Sequence, residues 1–138
     1  RAIALVPEFT ASTNFSGLRV LVVDGDWDSL EFVRVVLEGC GAEVETADSE
    51  REALEAIQRR APDVLAIDLR MQPADGCCFL QQIRAIAGSE IPAVALTANT
   101  RVEERVRALR EGFQLHLPKP IDPAELTAVV ASLAARHQ

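Results

Sequence analysis

The chain reads as a three-layer α/β sandwich, with helices on both faces of a parallel sheet of strand order 2-1-3-4-5. Three observations predict it. Two short runs rich in Val, Leu and Ile, Val20-Leu21-Val22-Val23 and Val64-Leu65-Ala66-Ile67, each end in an aspartate, Asp24 and Asp68. Runs of that length and composition match strands buried on both faces. From Leu18 onward, strand-like and helix-like segments alternate five times, and repeated βα units lead to parallel strands joined by right-handed crossovers. The helices also carry start and stop signals of their own.

In order along the chain, strands are expected at about 18–24, 42–46, 63–68, 91–97 and 113–117, and helices at about 27–39, 49–60, 76–88, 101–111 and 122–136. Asp26 can cap the first helix, and Gly39 and Gly41 can end it. Its buried face is expected to hold Phe32, Val33, Val36 and Leu37, leaving Leu30 and Val35 over. Ser49 to Glu52 and Thr100 to Glu103 have the spacing of capping boxes. Ala53, Leu54 and Ile57 share one face of the second helix. Asp122-Pro123-Ala124-Glu125 combines an N-cap, a proline at the first helical position and an acid in the first turn. Residues 1–17, with Pro7, the Thr10-Ala11-Ser12-Thr13-Asn14 run and Ser16-Gly17, read as a linker or N-terminal extension, within which Ala2 to Val6 can form a short strand. Residues 18–138 form the domain.

Bulk properties narrow the function. With 138 residues, 49% hydrophobic and 25% charged, the chain suits one domain with one core. No apolar run approaches membrane-spanning length, and no secretory signal opens the chain, so a cytoplasmic location is expected. A net charge of −7 argues against direct nucleic acid binding, which needs a basic surface. Cys40, Cys77 and Cys78 lack metal-ligand spacing and read as thiols in a reducing compartment.

In an open parallel sheet ligands bind at the carboxyl ends of the strands, near the point where strand order reverses. The order 2-1-3-4-5 puts Asp24 and Asp68 on either side of that point. Aspartate also starts turns, and these two can do no more than that. Brought into one crevice, they repel unless a cation, a proton or a ligand offsets their charge. Thr97 at the end of the fourth strand, Lys119 after the fifth and Asp26 just past the first converge on the same edge. Carboxylates, a hydroxyl and an ammonium together suit a hard cation such as Mg²⁺ and a phosphoryl group. A carboxylate can itself accept the phosphoryl group.

These residues resemble the receiver domain of two-component response regulators and hybrid sensor histidine kinases, a flavodoxin-like (βα)5 fold. The motifs are Val22-Val23-Asp24-Gly25-Asp26, Asp68-Leu69-Arg70-Met71 with Asp75-Gly76, Leu96-Thr97-Ala98 and Lys119-Pro120, across about residues 18–136. The resemblance implies that Asp68 is the phosphoacceptor and that Asp24 belongs to the acidic metal pocket. It implies that Thr97 turns toward the phosphoryl group and that Lys119 pairs with it, followed by a cis Lys119–Pro120 bond. It places the Arg70 backbone carbonyl among the Mg²⁺ ligands, with Asp24, Asp68 and, as a weak contributor, Asp26.

Three positions depart from the family pattern. Gly25 stands where a second acidic ligand is usual, which should weaken Mg²⁺ binding because affinity follows ligand charge and number. Water can fill the gap, or Asp26 can swing in. Arg70, two residues after Asp68, either pairs with the site as a partial substitute for the metal's charge or points to solvent. In Met71-Gln72-Pro73 the proline is one place later than usual.

Two surfaces stand out. The first helix, with Trp27 at its start, is where the resemblance places docking of a histidine kinase or histidine phosphotransfer protein; cover by residues 1–17 is the alternative. The fourth helix presents Arg101, Glu103, Glu104, Arg105, Arg107, Arg110 and Glu111, a solvated face or part of an output surface. His116 falls where the family often has a switching aromatic, and it can equally be a plain half-buried histidine.

The expectation is therefore a phosphoacceptor receiver in His-to-Asp signalling. It would be phosphorylated on Asp68 with Mg²⁺, it would switch a protein-interaction surface, and it would be no enzyme beyond its own phosphorylation and dephosphorylation. The start at Arg1 and the extension suggest a piece of a larger hybrid kinase or multidomain regulator. The alternatives are a degenerate pseudo-receiver that binds proteins without phosphorylation, and a flavodoxin-like cofactor binder or phosphatase. The absence of Tyr and of a Gly-rich or Ser/Thr-rich phosphate loop after the first strand counts against a flavin site.

Overall fold

The computed structural model describes residues 13–71, 79–88, 90–98 and 101–137. Asp75, Gly76, Gln72-Pro73, Cys77, Cys78, Thr100 and the Ala2–Val6 segment lie outside the described residues. Five parallel strands, β1 (Arg19–Val23), β2 (Glu43–Ala47), β3 (Val64–Asp68), β4 (Ala93–Thr97) and β5 (Leu115–Pro118), form one sheet in the order β2-β1-β3-β4-β5. Helices α1 (Trp27–Gly39), α2 (Glu50–Arg59), α3 (Phe79–Ala87), α4 (Val102–Arg110) and α5 (Pro123–His137) alternate with them. The expected fold class and strand order are those observed.

Successive strand residues point to opposite faces, and this chain fills both with apolar side chains. Val20, Val22, Val64, Ala66, Val94, Leu96 and Leu117 pack with Leu30, Val33 and Leu37 of α1 and Leu126, Val130 and Leu133 of α5. Leu21, Val23, Leu65, Ile67, Ala93 and Ala95 pack with α2, α3 and α4 through Ala53, Ile57, Phe79, Leu80, Ile83 and Ala108. The central strands are buried throughout (β3 and β4) or nearly so (β1), which explains their unbroken hydrophobic reading.

The caps follow the sequence closely, with one exception. Asp26 accepts from the Asp28 N–H, Ser49 from the Glu52 N–H and Asp122 from the Glu125 N–H. Helix α1 ends through Gly41, whose φ of +97° a side chain would strain. Helix α4 differs: Arg101 occupies its N-cap with no side-chain cap bond.

Two faces are phased differently from expectation. On α1 the inward residues are Leu30, Val33 and Leu37, while Phe32 and Val35 are exposed. The helix is apolar on more than one face, so its rotation is set by docking on the sheet and not by its own pattern. On α4, Glu111 is buried and pairs with Arg107, whereas Val102, Val106 and Leu109 are exposed. The outer face is thus more apolar than the charge run suggests.

The packed body also reaches upstream of Leu18. Phe15 is buried against the α1 and α5 side of the core, and its N–H donates to the Cys40 carbonyl at 2.8 Å.

Candidate functional site

The site is assembled by register. Val23 pairs with Ile67 across β1 and β3, so the residues that follow, Asp24 and Asp68, emerge side by side. Asp68 in turn pairs with Leu96 of β4, and Thr97 with Pro118 of β5. The Lys119 N–H donates to the Thr97 carbonyl at 2.8 Å, tying the two strand ends together, and the Lys119–Pro120 bond is cis. Four of the residues singled out in the sequence, Asp24, Asp68, Thr97 and Lys119, thus share one edge.

Both carboxylates are taken from water: Asp24 is 0% and Asp68 1% exposed. Lys119 lies between them, with Nζ 2.7 Å from Asp24 Oδ2 and 3.2 Å from Asp68 Oδ2. Asp24 Oδ1 accepts from the Asp26 N–H at 2.9 Å. Asp24 Oδ2, although close to the ammonium, accepts no well-aligned hydrogen bond, so the contact is an ion pair by charge and distance. Arg70 settles the question its position raised. Its N–H donates to Asp68 Oδ1 at 2.9 Å, and its guanidinium reaches Asp68 Oδ2 through Nη2 at 2.8 Å and Nε at 3.1 Å. The short 3-10 turn at Leu69–Met71 folds Arg70 back over the acid it follows.

The two acids are pushed apart in acidity. Burial raises the Asp24 carboxyl above its ordinary value, and the neighbouring Asp68 adds to the rise; Lys119 and the Asp26 N–H oppose it without overcoming it. Burial also acts against ionised Asp68, but the Arg70 guanidinium and N–H, with Lys119, together outweigh it and hold this carboxyl below its ordinary value. Asp68 is therefore the more acidic of the pair, and its carboxylate form is the one an attacking oxygen requires.

Linkage gives a testable sign. With Asp24 raised, the folded state holds its proton more tightly than the unfolded chain. Stability therefore declines as pH rises from the unfolded value toward the folded one, and the deficit persists above it. Asp68, lowered, acts in the opposite sense and supports the fold above its unfolded value. In metal-free buffer Asp24→Asn is expected to melt above wild type at pH 7 to 8, with the gap closing as pH falls toward 4; thermal melts across that range check it. A gap independent of pH would refute the assignment.

The remaining site residues are less central. Asp26 directs Oδ1 to the Asp28 N–H and Oδ2 to the Ser29 hydroxyl, so it serves the helix start; it also lines the cleft of about 420 Å³ over Gly25, Asp68 and Arg70. Gly25 is exposed, and a Cβ built there meets nothing within 4 Å. Among the described residues no three His, Cys, Asp or Glu side chains gather in a way that could hold a metal ion. Two buried carboxylates with a poorly satisfied oxygen still suit a small hard cation, since Mg²⁺ can bind through one or two carboxylates and keep several waters. What the sequence did not reveal is that Lys119 bridges both acids directly. The repulsion of paired carboxylates required some offset, and two side chains of the chain provide it.

The response regulator receiver domain family matches residues 20–131. The chain belongs to that family. Receiver domains are signalling modules of two-component systems. Among proteins, this receiver is 42% identical over 112 residues, 80% of its length and 86% of the other's, to an uncharacterised 14.6 kDa protein of the sodA1 3′ region of Leptolyngbya boryana. It is 39% identical over 119 residues to the response regulator MprA of Mycobacterium leprae, covering 86% of this chain and 52% of that one. The chain thus spans about half the length of that named relative. Among solved structures, the Vibrio cholerae chemotaxis protein CheY4 superimposes with a TM-score of 0.76 at 30% identity, over 84% of this receiver and 98% of CheY4. No helix among the described residues is long and apolar enough to cross a membrane.

Proposed function

We propose that this receiver accepts a phosphoryl group on Asp68 from the phosphohistidine of a kinase or phosphotransfer protein and thereby switches a protein-interaction surface. The observation that carries the reading is the buried Asp68 with Lys119 and Arg70 against its oxygens. In the transfer an Asp68 oxygen forms the new O–P bond, the histidine N–P bond breaks, and the imidazole leaves to take a proton from water. Lys119, held between the acids, is placed to neutralise phosphoryl oxygens, and Thr97 stands at the adjoining strand end to engage them, biasing the loops and the β4–β5 edge toward a second arrangement. Asp24 and Asp68 are the side chains that would hold Mg²⁺, with the Arg70 carbonyl as a further oxygen. Bound there, the ion would supply charge neutralisation to the transferring group. Named relatives longer than this chain, such as one of which the match covers 52%, support a place in a larger cytoplasmic regulator, and the net charge of −7 argues against nucleic acid as its partner.

A pseudo-receiver remains the second reading, favoured by Gly25 and by the guanidinium already seated on Asp68. Intact mass after incubation with Mg²⁺ and acetyl phosphate separates the two. A gain of one phosphoryl group, absent in Asp68→Ala, is expected. No gain in the wild-type chain would sink the receiver reading and leave the interaction module.

A further inference from the structure

The two buried acids are already matched by two cations before any metal arrives. Asp24 and Asp68 contribute two negative charges; Lys119 and Arg70 contribute two positive ones, each within ion-pair distance of these acids. No Asp68 oxygen is idle: Oδ1 accepts the Arg70 N–H, and Oδ2 is shared by the Arg70 guanidinium and Lys119. The missing third acid, at Gly25, and the added cation, at Arg70, change the charge balance in the same direction. Both remove reason for a divalent cation to bind.

Resting on the receiver reading, we propose that the Arg70 guanidinium is a built-in competitor of the divalent cation for Asp68, so that Mg²⁺ must displace it to reach the phosphoacceptor. Two features make the exchange feasible. The Arg70 side chain is 69% exposed although its partner is 1% exposed, so the guanidinium can swing into water while Asp68 stays in place. Lys119, at 13%, is held between two acids and has no such freedom. Of the two cations, Arg70 is the one that yields. The consequence is a receiver whose acceptor is covered at low Mg²⁺ and uncovered as Mg²⁺ rises.

The test is a MgCl₂ titration followed by the amide resonances of Asp24 and Gly25, for wild type, Arg70→Ala and Arg60→Ala. Arg60, at the C-cap of α2, lies at the opposite edge of the sheet and controls for loss of one positive charge anywhere on the chain. Arg70→Ala is expected to tighten Mg²⁺ binding by roughly two- to fivefold, the size of an ion pair with one partner in water, and Arg60→Ala to leave it unchanged. Equal or weaker binding in Arg70→Ala overturns the competition, as does equal tightening in both variants, and so does the absence of Mg²⁺ binding in wild type and Arg70→Ala alike. The receiver reading fails separately, on the mass measurement. Phosphorylated Asp68 with an unmoved Mg²⁺ affinity sinks only the competition; a moved affinity with no phosphoryl gain sinks only the receiver.

Discussion

Gly25→Asp is expected to tighten Mg²⁺ binding by roughly tenfold or more, since it adds a charged hard oxygen to a site that has two. Backbone and space both permit the change. A Cβ at residue 25 meets nothing within 4 Å, and its φ lies outside the left-handed region, so an aspartate carries no conformational strain there. The carboxylate would follow Asp24 directly and stand over the cleft that Asp68 and Arg70 line. The same substitution should lower the melting temperature in EDTA, because a third negative charge joins a pocket that is already balanced, and raise it in excess Mg²⁺ by ligand linkage. Melts with and without Mg²⁺ read both halves. A variant that melts lower in both conditions, with no gain in affinity, would show that residue 25 does not face the ion.

Whether the site could be anticipated depended on which interactions are local. Asp24 and Asp68 were legible because a strand that ends in a charged residue gives its register away, and strand order 2-1-3-4-5 brings those two ends together. Lys119 and Thr97 were legible by the same logic at β4 and β5. Arg70 was not, because a side chain beside a loop has two destinations and only the turn at Leu69–Met71 chooses between them. The rotation of α1 is not fixed by sequence for a related reason: Leu30, Val33 and Leu37 form as good a stripe as Phe32, Val33, Val36 and Leu37, and the sheet decides which one is buried. Glu111 illustrates a third limit. In sequence it belongs to a run of surface charge, yet it sits at the C-cap of α4 and is buried with Arg107 one turn back. Arg84 is similar, with its guanidinium bonded to the Ile91 and Gly112 carbonyls at the far end of the sheet; no periodicity marks a cation used to satisfy backbone oxygens.

Lys119→Met should destabilise the metal-free protein by about 3 kcal/mol at neutral pH, the lower end for removing one partner of a buried ion pair. Methionine keeps most of the length and packing of the lysine stem, so the loss reports charge rather than volume. Two effects set the size. Asp24 and Asp68 are both buried, and without the ammonium their repulsion has no mediator between them. Arg70 still covers Asp68, however, and Asp24 can retain its proton, and both responses cap the cost. The cost should shrink as pH falls and the carboxyls protonate, and it should shrink when Mg²⁺ is added, because the ion restores positive charge between the same two acids. The variant is therefore expected to gain more melting temperature from Mg²⁺ than wild type does. Denaturant melts in EDTA and in Mg²⁺, at pH 7 and pH 4.5, distinguish this from simple loss of packing. A deficit of equal size in all four conditions would mean that Lys119 supports the fold through its stem, and that the two carboxylates are kept apart by something other than its charge.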